Sequence, residues 1–201
     1  MNPLFSRYDN QDIRRLIAEY PLAWVVAPSA PIASASLLPM IGEFDPQGQL
    51  VRLVGHMART NILAGIFEEN GTAQFLFVGP QGYVSPEYSG KRNWGPTWNY
   101  AALRVEAEVR MDPALTEAAL ERLLQANEAG RSHPWTATEL EDRYPRMLAA
   151  IIGFEAHVLS IDATFKLAQD EEADVLASLI HTHPDRALCD WMSAMNKERL
   201  P

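Results

Sequence analysis

The clearest hydrophobic pattern lies between Asn99 and Met111. Ala101, Leu103, Val105, Ala107, Val109 and Met111 point one way, and Ala102, Arg104, Glu106, Glu108 and Arg110 the other. Strict period-two alternation predicts a strand with one buried face. The outward charges carry both signs and suit cross-strand pairing better than catalysis. Shorter runs predict five more strands: Leu22–Ala27, Ala33–Phe44, Leu50–His56, Thr72–Val78 and Gly153–Ile161. Phe154, Ala156 and Val158 share one face of the last, with His157 beside Glu155 on the other.

Helical spacing fills much of the remainder. Ile13, Leu16, Ile17 and Tyr20 form one stripe behind a cap at Asp9 or Asn10, and Pro21 ends it. A Pro-Ser-Ala-Pro turn would join the first two strands, and Phe44–Gly48 a tight turn the next two. Ile62, Leu63, Ile66 and Phe67 make a short helix, with Gly71 at its C′ position. Asp112-Pro113 opens another, with Leu115, Ala119, Leu123 and Leu124 inward and Gly130 at its end. Thr136 and Glu139 fit a capping box. Pro145 starts a helix whose apolar residues are Met147, Leu148, Ile151 and Ile152. Two C-terminal helices carry Val175, Leu176, Leu179 and Ile180, then Leu188, Trp191, Met192 and Met195.

Candidate chemistry concentrates where the third strand meets its helix. Gly55 ends the aliphatic run and lets the backbone approach a neighbour. His56, Arg59, Thr60 and Asn61 follow within six positions. Asn61 caps the helix, and a helix N-terminus beside an arginine and a hydroxyl can hold phosphate. The same residues also read as an ordinary capped helix with a solvated arginine. Gly79–Tyr100 reads as one long loop containing Trp94, Trp98, Tyr83, Tyr88 and Tyr100. Such aromatics stack on a planar ligand or hold the loop down; chemistry alone favours packing. His133 reads as a loop histidine. His181 and His183 share no helical face, which disfavours a metal site. Walker A, Gly-x-Gly-x-x-Gly, His-Glu-x-x-His and Gly-x-Ser-x-Gly patterns are all missing from the sequence.

Composition narrows the class. The chain has 201 residues, 47% hydrophobic, with a net charge of −9. It can bury a sizeable core, and its acidic balance argues against general nucleic-acid affinity. The single cysteine, Cys189, allows no internal disulfide and suits a reducing compartment. No run reaches membrane length and no signal-peptide core is evident, so a cytoplasmic location is expected.

The stretch Gly55-His56-Met57-Ala58-Arg59-Thr60-Asn61 resembles the PaiB-like, FMN-binding negative transcriptional regulators. These are relatives of the split-barrel flavoproteins typified by pyridoxamine-phosphate oxidase. Four further pieces fall in the same order: Gly82–Pro86, Pro96–Tyr100, Gly153–Glu155 and Phe165–Gln169. The resemblance covers nearly the whole chain to Gln169. It implies a β-barrel with helices (α+β), that is, an FMN-binding split barrel of six antiparallel Greek-key strands. It also implies a homodimer with FMN near the dimer interface. Residues 1–169 would be the barrel domain and 170–201 a helical extension packed on the barrel or the partner. Carried over residue by residue, the cofactor contacts would be His56, Arg59, Thr60, Asn61, Tyr83, Ser85, Trp98, Asn99, Lys166 and Gln169. Arg59 and Lys166 would neutralise the phosphate, Thr60 and Asn61 would donate hydrogen bonds, and Tyr83 and Trp98 would border the ring. The chain departs from the pattern at Leu37, where the family has histidine, and at Ala168 and Asp170, where it has serine and asparagine. The regulatory role would act through a partner protein or a redox signal rather than direct DNA reading. A flavin-dependent reductase linked to FMN or NAD(P)H is the alternative, and a flavin-free interaction module a further one. No general acid or base is singled out.

Overall fold

The computed structural model describes residues 2–28, 34–69 and 71–200. Six strands form a closed barrel in the order β1-β2-β3-β6-β5-β4. They are β1 Leu22–Ala27, β2 Ser34–Phe44, β3 Leu50–Ala58, β4 Thr72–Val84, β5 Thr97–Met111 and β6 Ile151–Lys166. The helices are α1 Asn10–Glu19, α2 Ile62–Glu69, α3 Pro86–Ser89, α4 Thr116–Glu128, α5 Tyr144–Ala149, α6 Ala173–Thr182 and α7 Arg186–Met195. Among the described residues no helix is long and apolar enough to cross a membrane. The split barrel expected from the sequence is therefore the fold. The turn proposed at 28–31 and the strand start at Ala33 lie largely outside the described residues.

Two compact units divide the chain, residues 10–77 with 104–162, and residues 2–9 with 78–103 and 163–200. In the first unit the antiparallel ladders set Trp24 opposite Leu37, Met40 opposite Gly55 and Gly55 opposite Phe154. Val25, Met40, Leu53, Met57, Phe75, Val105, Phe154 and Ala156 are buried in its core. Phe75 and Phe154 meet there at 6.3 Å between ring centroids. Gly55 does not end β3, which runs on to Ala58. A Cβ at Gly55 would sit 2.7 Å from Met40 Cε and 2.8 Å from Phe154 Cζ, so the glycine makes room for the core side chains. Gly71 takes no left-handed backbone. Its carbonyl accepts the Val109 N–H at 2.5 Å, and a Cβ there would strike the Val109 carbonyl oxygen. The site is a close backbone approach rather than a helix C′ residue.

The outer faces of β2, β3 and β6 carry an ion-pair network. The Arg52 guanidinium bonds Glu43 and, at 2.9 Å, Glu155, while Arg122 of α4 reaches Glu43 at 2.5 Å. Glu43 and then Glu155 hold the Arg52 guanidinium above its ordinary pKa. The capping box forms as expected, with the Thr136 N–H donating to Glu139 at 3.0 Å. Ile151 and Ile152, assigned to a helix from their apolar spacing, open β6 instead, and α5 stops at Ala149. Both residues are strand formers whose tertiary pairing with Met57 and Ala58 overrides local periodicity.

The second unit corrects the reading of 79–100 as one long loop. β4 continues to Val84 and β5 begins at Thr97, leaving a connection of residues 85–96 that contains α3. Ser85 caps α3, and Gly90 follows in the left-handed region at φ 70°. The connection is fastened by side chains: Trp94 Nε1 donates to Glu171 at 2.8 Å, and Lys91 pairs with Asp174 at 2.7 Å. Ser178 and Thr182 of α6 both donate to the Tyr88 carbonyl. Tyr88 and Trp94 are thus held by packing and hydrogen bonds, whereas Tyr83 and Trp98 lie on β4 and β5 and are about half exposed. His183 is buried: its Nε2 donates to the Tyr83 carbonyl at 3.1 Å and its Nδ1 accepts the Asp185 N–H. On α7, Trp191 stacks on Phe165 at 5.9 Å.

Candidate functional site

β3 delivers His56 and ends at Ala58; a two-residue turn then presents Arg59 and Thr60 before α2. The turn is closed by the Asn61 N–H on the Ala58 carbonyl at 2.9 Å and by the Arg59 N–H on the Ala150 carbonyl at 3.0 Å. Asn61 is the cap that its spacing predicts. Its Oδ1 accepts the Leu63 N–H at 3.0 Å and the Ser36 hydroxyl at 3.1 Å. The acceptor is therefore committed to the fold, and the Nδ2 group is what Asn61 offers a ligand.

Arg59 is exposed, and its Nε donates to the Ala149 carbonyl at 3.0 Å. No carboxylate lies within ion-pair distance of it among the described residues. An arginine without an acidic partner beside a helix N-terminus has the chemistry to hold an anion. His56 adds a second mark of incompleteness. Its Nδ1 is buried with no hydrogen-bond partner among the described residues, and burial pushes the imidazole below its ordinary pKa. That direction favours the neutral ring, in which one nitrogen is an acceptor.

The remaining predicted contacts lie in the other unit and divide into three kinds. Tyr83 and Trp98 are about half exposed and meet edge to face at 6.1 Å, leaving aromatic surface open. Lys166 donates to Thr97 Oγ1, stands 5.9 Å from the Phe5 ring centroid, and also has no carboxylate partner among the described residues. Ser85, Asn99 and Gln169 are occupied. Ser85 Oγ accepts the Glu87 N–H at 3.2 Å as a helix cap. Asn99 is 2% exposed and donates to Met192 Sδ at 3.3 Å. Gln169 binds its own neighbours, accepting from the Leu167 N–H at 2.7 Å and donating to the Phe165 carbonyl at 2.5 Å. It thereby clamps Ala168, which takes a left-handed φ of 66°. Arg199 donates to the Gln169 carbonyl at 2.9 Å and braces the same turn. Ser36 was not anticipated as part of the site. The signal for it was its place among small residues on a strand, which alone does not reveal a side-chain contact.

The family model described as "Putative FMN-binding domain" matches residues 1–160. The chain belongs to this family. A relative from Bacillus subtilis (strain 168), "Protease synthase and sporulation protein PAI 2", is 27% identical over 173 residues, covering 84% of this chain and 81% of its own. Among solved structures, the FAD and heme binding protein from Mycobacterium smegmatis superposes with a TM-score of 0.59 at 13% identity, covering 79% of this chain and 71% of its own. The flavocytochrome Anf3 from Azotobacter vinelandii gives 0.57 at 15%, covering 90% and 76%. At those identities the two structures speak for the fold alone. This is a PaiB-like FMN-binding split-barrel protein, and FMN is the cofactor of its family. The residues around His56–Asn61 suit that group. They combine an arginine lacking an acidic partner, a capped helix start and an unpartnered buried nitrogen. Bound there, FMN would supply one- or two-electron transfer.

Proposed function

We propose that the protein holds FMN through the β3–α2 turn and acts as a homodimeric, PaiB-type regulatory flavoprotein. The observation that carries this reading is Arg59, exposed at the start of α2 with no carboxylate beside it. Arg59 takes the phosphate charge, the Thr60 hydroxyl and Asn61 Nδ2 donate to phosphate oxygens, and the His56 Nδ1 accepts from a donor on the flavin. Lys166, Tyr83 and Trp98, in the other unit, are carried over from the family pattern alone, and their variants are tested beside Arg59→Ala for loss of FMN affinity. The outward face of β1 and β2 favours a second copy of the chain, because Leu22, Trp24 and Leu37 are 51%, 49% and 47% exposed on it. Regulation then passes through a protein partner or the flavin redox state, in keeping with the charge of −9.

The visible absorption spectrum of the purified protein tests the cofactor reading, before and after addition of FMN and desalting. Retained flavin bands are expected. A protein that stays colourless would overturn it, and would point to Leu37, Ala168 and Asp170 as marks of a lost site. Oxidation of NADH or NADPH by the flavin-loaded protein at enzymatic rates would favour the reductase reading instead.

A further inference from the structure

A cavity of about 610 Å³ lies between α4 and residues 134–138 with Tyr144, and shares no residue with the proposed flavin contacts. Its volume is that of a small-molecule site. One wall is a stripe of α4 formed by Glu117, Glu121, Leu124 and Glu128. These positions are spaced along a single helical face, turned away from the buried Ala119 and Leu123. The opposite wall presents Trp135 and Tyr144, both half-buried. The lining contains three carboxylates and no lysine or arginine.

Two of the carboxylates fasten the aromatic wall. The Tyr144 hydroxyl donates to Glu117 at 2.8 Å, and the Trp135 backbone N–H donates to Glu128 at 3.0 Å. Glu128 is also paired with Arg131 at 3.2 Å. Glu121 has no hydrogen-bond or ion-pair partner among the described residues. The negative potential reaches the aromatic side: burial, then the Glu117 hydrogen bond and charge and the Glu121 charge, push the Tyr144 phenol up to about 12. Aromatic walls, a carboxylate left to bind and apolar surface from Leu124 are together what an organic ammonium ion requires. A metal ion would not need the rings, and an anion would be repelled.

We propose that this cavity binds a small organic cation of the alkylammonium class, with its charged head at Glu121 and its carbon frame against Trp135 and Tyr144. The site is separate from the flavin and extends the protein to a second ligand. Isothermal titration of the full chain in low-salt buffer tests it, with choline and its neutral isostere 3,3-dimethylbutan-1-ol as probes. Choline should bind at least about fivefold more tightly than the isostere, the charge accounting for the difference. Glu121→Gln, an exposed helix position with no structural partner, should erase that difference and leave flavin absorbance unchanged. Trp135→Leu should weaken both probes. Equal binding of the two probes would overturn the proposal. So would no binding up to about 10 mM, an affinity too weak for a built site, or a Glu121→Gln variant that binds choline as well as the parent.

Discussion

The Ser36 hydroxyl donates to Asn61 Oδ1 across 3.1 Å, so the cap of α2 is tied to β2 as well as to its own helix. One oxygen thus serves the Leu63 N–H and a strand far away in sequence. Asn61→Ala removes both bonds. It should lower stability by about 1–2 kcal/mol, a fall in Tm of roughly 2–8 °C for a chain of this size. Asn61→Asp keeps the acceptor but loses the Nδ2 donor and brings a negative charge to the proposed phosphate. That variant should unfold at the parental temperature while binding FMN at least about tenfold more weakly. Thermal melts beside flavin titrations separate the two effects, and an aspartate variant with parental FMN affinity would remove Asn61 from the site.

Arg59 has the opposite profile. It is exposed, and its one hydrogen bond is to the Ala149 carbonyl. Arg59→Ala should therefore leave the fold nearly unchanged. Loss of a charge-assisted phosphate contact should weaken FMN binding about 10- to 100-fold. The parent should also lose affinity as salt rises, more steeply than the variant. Fluorescence quenching of FMN during titration measures both.

These two residues also show what the sequence conveys and what it hides. Asn61 and α2 were legible because capping and helical spacing are local. β5 was legible because alternation from Ala101 to Val109 requires one buried face, and those odd positions are buried. The far end of β4 was not. Gly79, Pro80 and Gly82 look like loop punctuation, yet proline's fixed φ is compatible with an extended chain. Gly82 is there because a Cβ would sit 3.0 Å from Leu188 Cδ2 and 3.3 Å from His183 Cε1. That demand comes from residues a hundred positions away and leaves no local trace. The same holds for Asn99, whose partner is Met192, while Gln169 is claimed locally by a turn that its type does not announce. Their side chains look available in the sequence, but tertiary packing and a left-handed Ala168 claim them.

His56 carries the pH dependence of the site. Burial depresses its folded-state pKa, so the unfolded chain binds the proton more readily. The neutral ring's contribution is fully present above the unfolded value of about 6.5. It is lost as the pH falls from there through the lower folded pKa. His56→Leu should blunt that loss. It also removes an unpartnered buried nitrogen, so the flavin-free variant should be at least as stable as the parent at neutral pH. If the nitrogen serves the flavin, FMN affinity should drop in the same variant. Melting curves from pH 5 to 8, with and without FMN, decide the matter; a leucine variant destabilised without FMN would contradict this account.

Cys189 should be silent in the native state. It is fully buried on α7, with its Sγ 3.5 Å from the His183 carbonyl oxygen, and burial pushes its thiol pKa up. Reaction with an aromatic disulfide reagent should be absent on the time scale of minutes and immediate in denaturant. Rapid labelling of folded protein would show that α7 opens readily.

The outward face of β1 and β2 offers the test of assembly. Trp24 stands opposite Leu37 across the ladder, and Leu22 opposite Pro39, so apolar side chains lie side by side, with Leu22, Trp24 and Leu37 about half exposed. A charge in the middle of that face should be harmless to a monomer, because Trp24 points away from the buried Ala23 and Val25. Trp24→Glu should therefore leave the fold intact while shifting the mass from dimer to monomer, since burying the carboxylate against a second copy would be costly. Light scattering with size-exclusion chromatography reads the mass, and circular dichroism the fold. A parent that is already monomeric would overturn the homodimer, and a variant that stays dimeric would place the contact between copies elsewhere. If monomerisation also lowers FMN affinity, the partner copy contributes to the flavin site; if affinity is unchanged, each chain binds its flavin alone.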